Sequence, residues 1–181
     1  MNFADHFEQA YSYDEFLNKY GQPADVERWK RMHGRIQLSD DQRSLLGGFK
    51  REMKVLVMAG AWCGDCVEQC PIFDHFAHAS EKIRIRYADR DDSGDLNDHL
   101  MLCGAPRVPQ VVFLSEDDYV VARYGDRTLA KYRDMAATLD GAACPSGIGP
   151  GEDLLAAVVQ DWRNEFERVQ WILRTSGRLR Q

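Results

Sequence analysis

Val55-Leu56-Val57-Met58-Ala59-Gly60-Ala61-Trp62-Cys63-Gly64-Asp65-Cys66 runs from five consecutive apolar residues into two cysteines with two residues between them. The apolar run is short and rich in β-branched side chains, the pattern of a strand covered on both faces. Beyond Cys66, the residues Val67, Phe73 and Phe76 continue as a helix, with an interruption expected at Pro71. The cysteines therefore fall where a buried strand turns into a helix.

That position suits disulfide exchange, which needs an attacking thiolate, a second thiol within reach to resolve the mixed disulfide, and access for the attacker. At a helix start, unpaired backbone amides and the positive end of the dipole favour a thiolate, lowering its pKa below the free value near 8.5. Cys63, the more N-terminal, is the expected attacker. Cys66, one turn inside, is the expected resolving thiol. The same spacing also forms half of many zinc sites, but the further ligands at hand, Cys70, His75 and His78, lie in the same helical run. A structural zinc or an iron-sulfur site is thus the lesser reading, and the expectation is no metal and no cofactor.

Outward from this segment the pattern stays ordered. Phe3, Phe7 and Tyr11, then Val26, Trp29 and His33, recur at helical spacing on either side of Gly21-Gln22-Pro23. Ser39-Asp40-Asp41-Gln42 reads as a cap opening another helix toward Gly47-Gly48. Ile83 to Tyr87 alternates as a strand, and Asp92-Ser93 is positioned to cap a helix to about Met101. Val111–Leu114 and Tyr119–Ala122 flank an acidic turn as a hairpin, and a helix is expected from Thr128 to Leu139. Gly141 to Gly151, with four glycines and two prolines in eleven residues, reads as a loop. Leu155, Val158, Val159, Trp162, Phe166, Val169 and Leu173 form the apolar stripe of a long final helix that must dock on something, most simply its own domain.

With Trp62 before the first cysteine, Pro71 five residues past the second, and Gly104-Ala105-Pro106-Arg107-Val108-Pro109 before an apolar strand, residues 39–140 resemble the thioredoxin superfamily. The helical preface and the Trp-Cys-x-Asp-Cys motif resemble a bacterial branch of it. The resemblance implies an α/β fold with a central mixed sheet flanked by helices, here with a helical extension over 1–38 and a loop and packed C-terminal helix over 141–181. It implies that Pro109 is cis and faces the cysteines, and that the Val108 backbone offers hydrogen bonds to a substrate chain. Trp62 would then shape the substrate surface, and Gly125 would lie beside the site.

Two positions depart from the family. Val57 stands where a buried aspartate usually assists the resolving thiol, so proton handling must differ. Between the cysteines, Gly64 is followed by Asp65 in place of the usual proline; its charge disfavours a nearby thiolate unless it points to solvent or caps amides. The pair is accordingly expected to lean toward reductase chemistry.

Of the other thiols, Cys70 reads as a small buried hydrophobe, and Cys103 and Cys144 as incidental. His75, His78 and His99 show no partner in sequence and read as surface or packing residues.

The whole chain sets the surroundings. Its 181 residues are 44% hydrophobic and 29% charged with a net charge of −6, ordinary for a folded soluble protein and unlike a nucleic-acid binder. The start lacks a signal-peptide pattern, no stretch reaches a membrane span, and five cysteines make an odd count, so a cytoplasmic address is expected. The expected partners are a disulfide-containing protein or small-molecule disulfide and an unidentified electron donor, with no nucleic acid and no membrane. The rival reading is a redox-sensing adaptor or partner-binding module on the same scaffold.

Overall fold

The computed structural model describes residues 2–138 and 153–180. Four helices come first: α1 (Phe3–Gln9), α2 (Tyr13–Tyr20), α3 (Pro23–His33) and α4 (Asp40–Gly47). They lead into strand β1 (Met53–Ala59), helix α5 (Gly64–Ala79), strand β2 (Ile83–Asp89) and short helix α6 (Asp95–His99). Strands β3 (Gln110–Ser115) and β4 (Val120–Gly125) follow, then α7 (Leu129–Thr138) and α8 (Leu154–Thr175).

The strands form one sheet in the order β2-β1-β3-β4, with β1 parallel to β2 and the other pairs antiparallel. All seven residues of β1 and all six of β3 are buried, which explains their near-continuous apolar sequences, broken only by Lys54 in β1 and by Gln110 and Ser115 at the ends of β3. Edge strand β4 has no buried residue.

The local chemistry explains most element ends. Ser39 caps α4 in a reciprocal box with Gln42, as its sequence signature requires. Pro23 opens α3 at its first turn, where a missing N–H costs nothing. Three expectations need correction. Tyr11 does not continue α1; Ala10 is extended, and Tyr11 pairs with Tyr87, each backbone N–H donating to the other's carbonyl. The helix α6 begins after Gly94 rather than at Asp92-Ser93, because the Ser93 hydroxyl donates to the Asp89 carbonyl instead of capping. Helix α5 runs through Pro71 without a break. The loop expected over Gly141–Gly151 lies outside the described residues.

Both terminal regions contribute to one apolar core. From the N-terminal side, Phe3, Phe7, Phe16 and Trp29 are buried, and Phe16 packs on Tyr87 of β2 with ring centres 5.7 Å apart. From the C-terminal side, Trp162, Phe166 and Val169 of α8 are fully buried. Phe166 meets Phe76 of α5 and Phe113 of β3 edge-on, each at 5.1 Å, an arrangement that adds to plain area burial. Gln170 of α8 also reaches the segment entering β1. Its side chain accepts from the backbone amides of Lys50 and Arg51 and donates to the Arg51 carbonyl.

Candidate functional site

Strand β1 ends at Ala59, and after three intervening residues the chain presents Cys63 as the N-cap of α5. The Cys63 amide donates to the Gly60 carbonyl at 3.0 Å, and Val67 returns a helical bond to the Cys63 carbonyl at 2.9 Å. This turn leaves Cys63 half-buried at the helix start and Cys66 fully buried one turn inside. The Gly60 amide points at the Cys66 sulfur from 3.5 Å.

Opposite lies the segment before β3. The Val108-Pro109 bond is cis, and the Cys63 thiol approaches the Val108 carbonyl at 3.7 Å. Gly125 backs this contact: its φ is +147°, and an added Cβ would stand 2.4 Å from the Pro109 carbonyl oxygen. The structure thus brings Cys63, Cys66, Val108, Pro109 and Gly125 together. Trp62 is 46% exposed beside them, its ring over Gly60, where a Cβ would clash at 2.8 Å. The Arg90 guanidinium covers that ring at 4.5 Å, and Arg28 donates to the Trp62 carbonyl at 2.9 Å. Gly64 is exposed, with open space around its Cα.

Asp65 neither points freely to solvent nor caps amides. Its carboxylate pairs with Arg127 at 2.5 Å and Lys131 at 3.2 Å, and Arg127 also reaches Asp126 at 3.3 Å. The negative charge between the cysteines is therefore neutralised by cations that follow β4 in the chain, a partnership invisible to local sequence reading.

The thiols differ from the simple helix-start expectation. In the dithiol, a hydrogen bond with Cys66 holds the Cys63 thiol above its ordinary value and burial adds to this, while the amides of Cys66 and Asp65 pull the other way. Burial pushes the Cys66 thiol up as well. The expectation of a Cys63 pKa below 8.5 is thus corrected for the reduced pair: the hydrogen bond with Cys66 and burial outweigh the pull of the two helix-start amides.

Sequence reading missed the bracing. Trp29 of α3, fully buried, donates its indole N–H to the Ala61 carbonyl at 2.8 Å, gripping the turn that carries the cysteines. Trp162 of α8 donates to Gln69 at 3.0 Å, and Gln69 in turn donates to the Asp126 carbonyl at 2.9 Å. Asp126 is buried against Arg107, Arg127 and the Tyr132 hydroxyl. The two indoles read from sequence as core positions on apolar stripes; nothing local marks their N–H partners.

Cys70 is fully buried. Cys103 is exposed, and Cys144 lies outside the described residues. His75 stacks on His33 at 4.1 Å, and Asp74 joins His33 at 2.9 Å and His78 at 3.3 Å, partners that the sequence alone did not reveal. Among the described residues, no group of three or more His, Cys, Asp and Glu side chains is arranged to hold a metal ion. Nor is any helix among them long and apolar enough to cross a membrane.

A family model described as Thioredoxin matches residues 10–139. The chain belongs to the thioredoxin family. The match begins at residue 10, so in this thioredoxin-family chain α2 and α3 lie inside the matched region. Two solved structures share the fold. One is a protein of unknown function from Pseudomonas aeruginosa, 19% identical, with a TM-score of 0.68, covering 96% of this chain and 98% of that one. The other is an HIV epitope-scaffold, 17% identical, with a TM-score of 0.66, covering 98% of this chain and 100% of that one. No curated protein matches.

Proposed function

We propose that the chain is a reductase-leaning thiol-disulfide oxidoreductase working through Cys63 and Cys66 in a reducing cytoplasm. The observation that supports this best is the placement of Cys63. Its sulfur is half-buried at the start of α5, 3.7 Å from the Val108 carbonyl, with a second, buried thiol one turn behind it.

In this reading the Cys63 thiolate attacks one sulfur of a substrate disulfide, forming a mixed disulfide and expelling the other sulfur as a thiolate. The Cys66 thiolate then attacks the Cys63 sulfur. A Cys63–Cys66 disulfide forms, the second substrate sulfur leaves as a thiolate, and the two thiolates take up protons. Two electrons have passed from the protein to the substrate, to be replaced by a dithiol donor. The segment at Val108 and Pro109 positions the substrate chain, and exposed Trp62 forms the neighbouring surface.

The test uses the full-length protein with a peptide disulfide as substrate and a dithiol as donor. Cys63→Ser is expected to abolish turnover, and Cys66→Ser to accumulate mixed disulfide visible by mass. Full turnover by Cys63→Ser would overturn the assignment.

A further inference from the structure

The charges around Cys63 are not spread evenly. Arg28, whose guanidinium bonds the Trp62 carbonyl, is 40% exposed at its side chain, while its partner Asp25 is only 15% exposed. Arg107, adjacent to Val108, is 46% exposed against 2% for its partner Asp126. In both pairs the cation faces outward and the carboxylate lies behind it. Asp65 is likewise withdrawn, 18% exposed and paired with two cations. Two neighbouring pairs have the opposite sense. Glu68, on α5 beyond Cys66, is more exposed than Lys131, and Asp91 is more exposed than Arg90.

Trp62 and Val108 flank Cys63, and the outward-facing cations joined to them are Arg28, on the Trp62 carbonyl, and Arg107, next to Val108; Arg90 also lies on the Trp62 ring, but there the more exposed partner is the anion Asp91. The chain as a whole carries −6, so this cationic presentation is local and runs against the background.

We propose that the site selects polypeptide disulfides flanked by acidic residues, with Arg28 and Arg107 as the specificity-determining pair. This rests on the disulfide-exchange reading. Each guanidinium already contacts a carboxylate yet keeps donors free, so it recognises a second carboxylate as a partly exposed ion pair, with an effect of about 1.5- to 5-fold. Together they give roughly a 2- to 25-fold preference.

The experiment compares kcat/KM of the full-length protein for three peptide disulfides that differ only in flanking Glu, Gln or Lys, at low salt and at about 0.5 M salt, where the screening length falls to a few ångströms. The expected order is Glu above Gln above Lys, carried by KM and compressed toward equality at high salt. Arg28→Gln and Arg107→Gln are each expected to narrow the ranking, and Arg28→Lys and Arg107→Lys to restore most of it. Equal rates for the Glu and Gln peptides at low salt, or a ranking unmoved by Arg28→Gln and Arg107→Gln, would overturn the selectivity while leaving disulfide exchange standing. If Cys63→Ser reduces all three peptides as well as the wild type, disulfide exchange fails and the selectivity falls with it.

Discussion

Replacing Trp29 by Phe isolates one bond between the helical preface and the turn that carries the cysteines. Trp29 is fully buried, and its rings pack against Tyr13 at 5.6 Å and Phe16 at 5.9 Å, contacts that a phenyl ring largely keeps. What it cannot keep is the indole N–H, which donates to the Ala61 carbonyl at 2.8 Å in a residue only 1% exposed. A buried carbonyl left without its donor costs about 1 to 3 kcal/mol, so about 2 kcal/mol is expected. For a chain of this size that corresponds to a fall in Tm of roughly 4 to 8 °C. Urea denaturation followed by circular dichroism gives the free energy directly, independent of the lost tryptophan emission. Because Ala61 stands two residues before Cys63, the loosened turn is also expected to speed alkylation of Cys63 at fixed pH. A cost under about 0.5 kcal/mol with unchanged alkylation would refute the idea that α3 holds the turn.

Three further outcomes follow from the site. Both thiols have raised folded-state pKa values, so the reduced protein holds its protons longer than the unfolded chain does; this stability is fully present below about 8.5 and is lost as pH rises beyond it. Urea titrations between pH 8 and 9, below the range where the buried tyrosines contribute, are expected to show that decline in the dithiol form and not in the Cys63–Cys66 disulfide form, and Cys63 alkylation to keep accelerating above pH 8.5; a plateau reached below pH 7 would contradict it. Asp65→Asn removes the anion shared by Arg127 and Lys131 and leaves both cations beside the start of α5, so Cys63 alkylation at pH 7 is expected to rise about 2- to 5-fold; a slower reaction would contradict the neutralised-aspartate picture. Gly125→Ala drives a methyl to within 2.4 Å of the Pro109 carbonyl at a φ that side chains rarely adopt, and a loss of about 3 kcal/mol in urea titrations is expected; a neutral change would show that Gly125 does not support the Pro109 segment.

The sheet was legible because its strands announce themselves. β1 and β3 are buried on both faces, and such strands leave near-continuous apolar runs in sequence. The long final helix was legible for the same reason, its stripe from Val158 to Leu173 being the face that meets α5 and β3. Short elements were harder. The helix α1 ends at Gln9 although Tyr11 keeps the period, because a backbone pairing with Tyr87, 76 residues away, competes with another helical turn.

At the site, spacing located the two cysteines, and family resemblance located Val108, Pro109 and Gly125. The charge balance was not legible. Asp65 reads from its neighbours as a burden on the thiolate, and only the fold shows Arg127 and Lys131, more than 60 residues later, pairing with it. The same holds for Trp29 and Trp162, which any periodicity count assigns to the core while leaving their single polar atoms unplaced.

The most direct test is a redox titration of the full-length protein in dithiol buffers of graded potential, counting free thiols at Cys63 and Cys66 by mass after alkylation. The expected result is one reversible two-electron transition confined to these two residues, with a midpoint nearer about −270 mV than −120 mV. A pair that stays fully reduced or fully oxidised across that range, or a transition that survives Cys63→Ser, would contradict it.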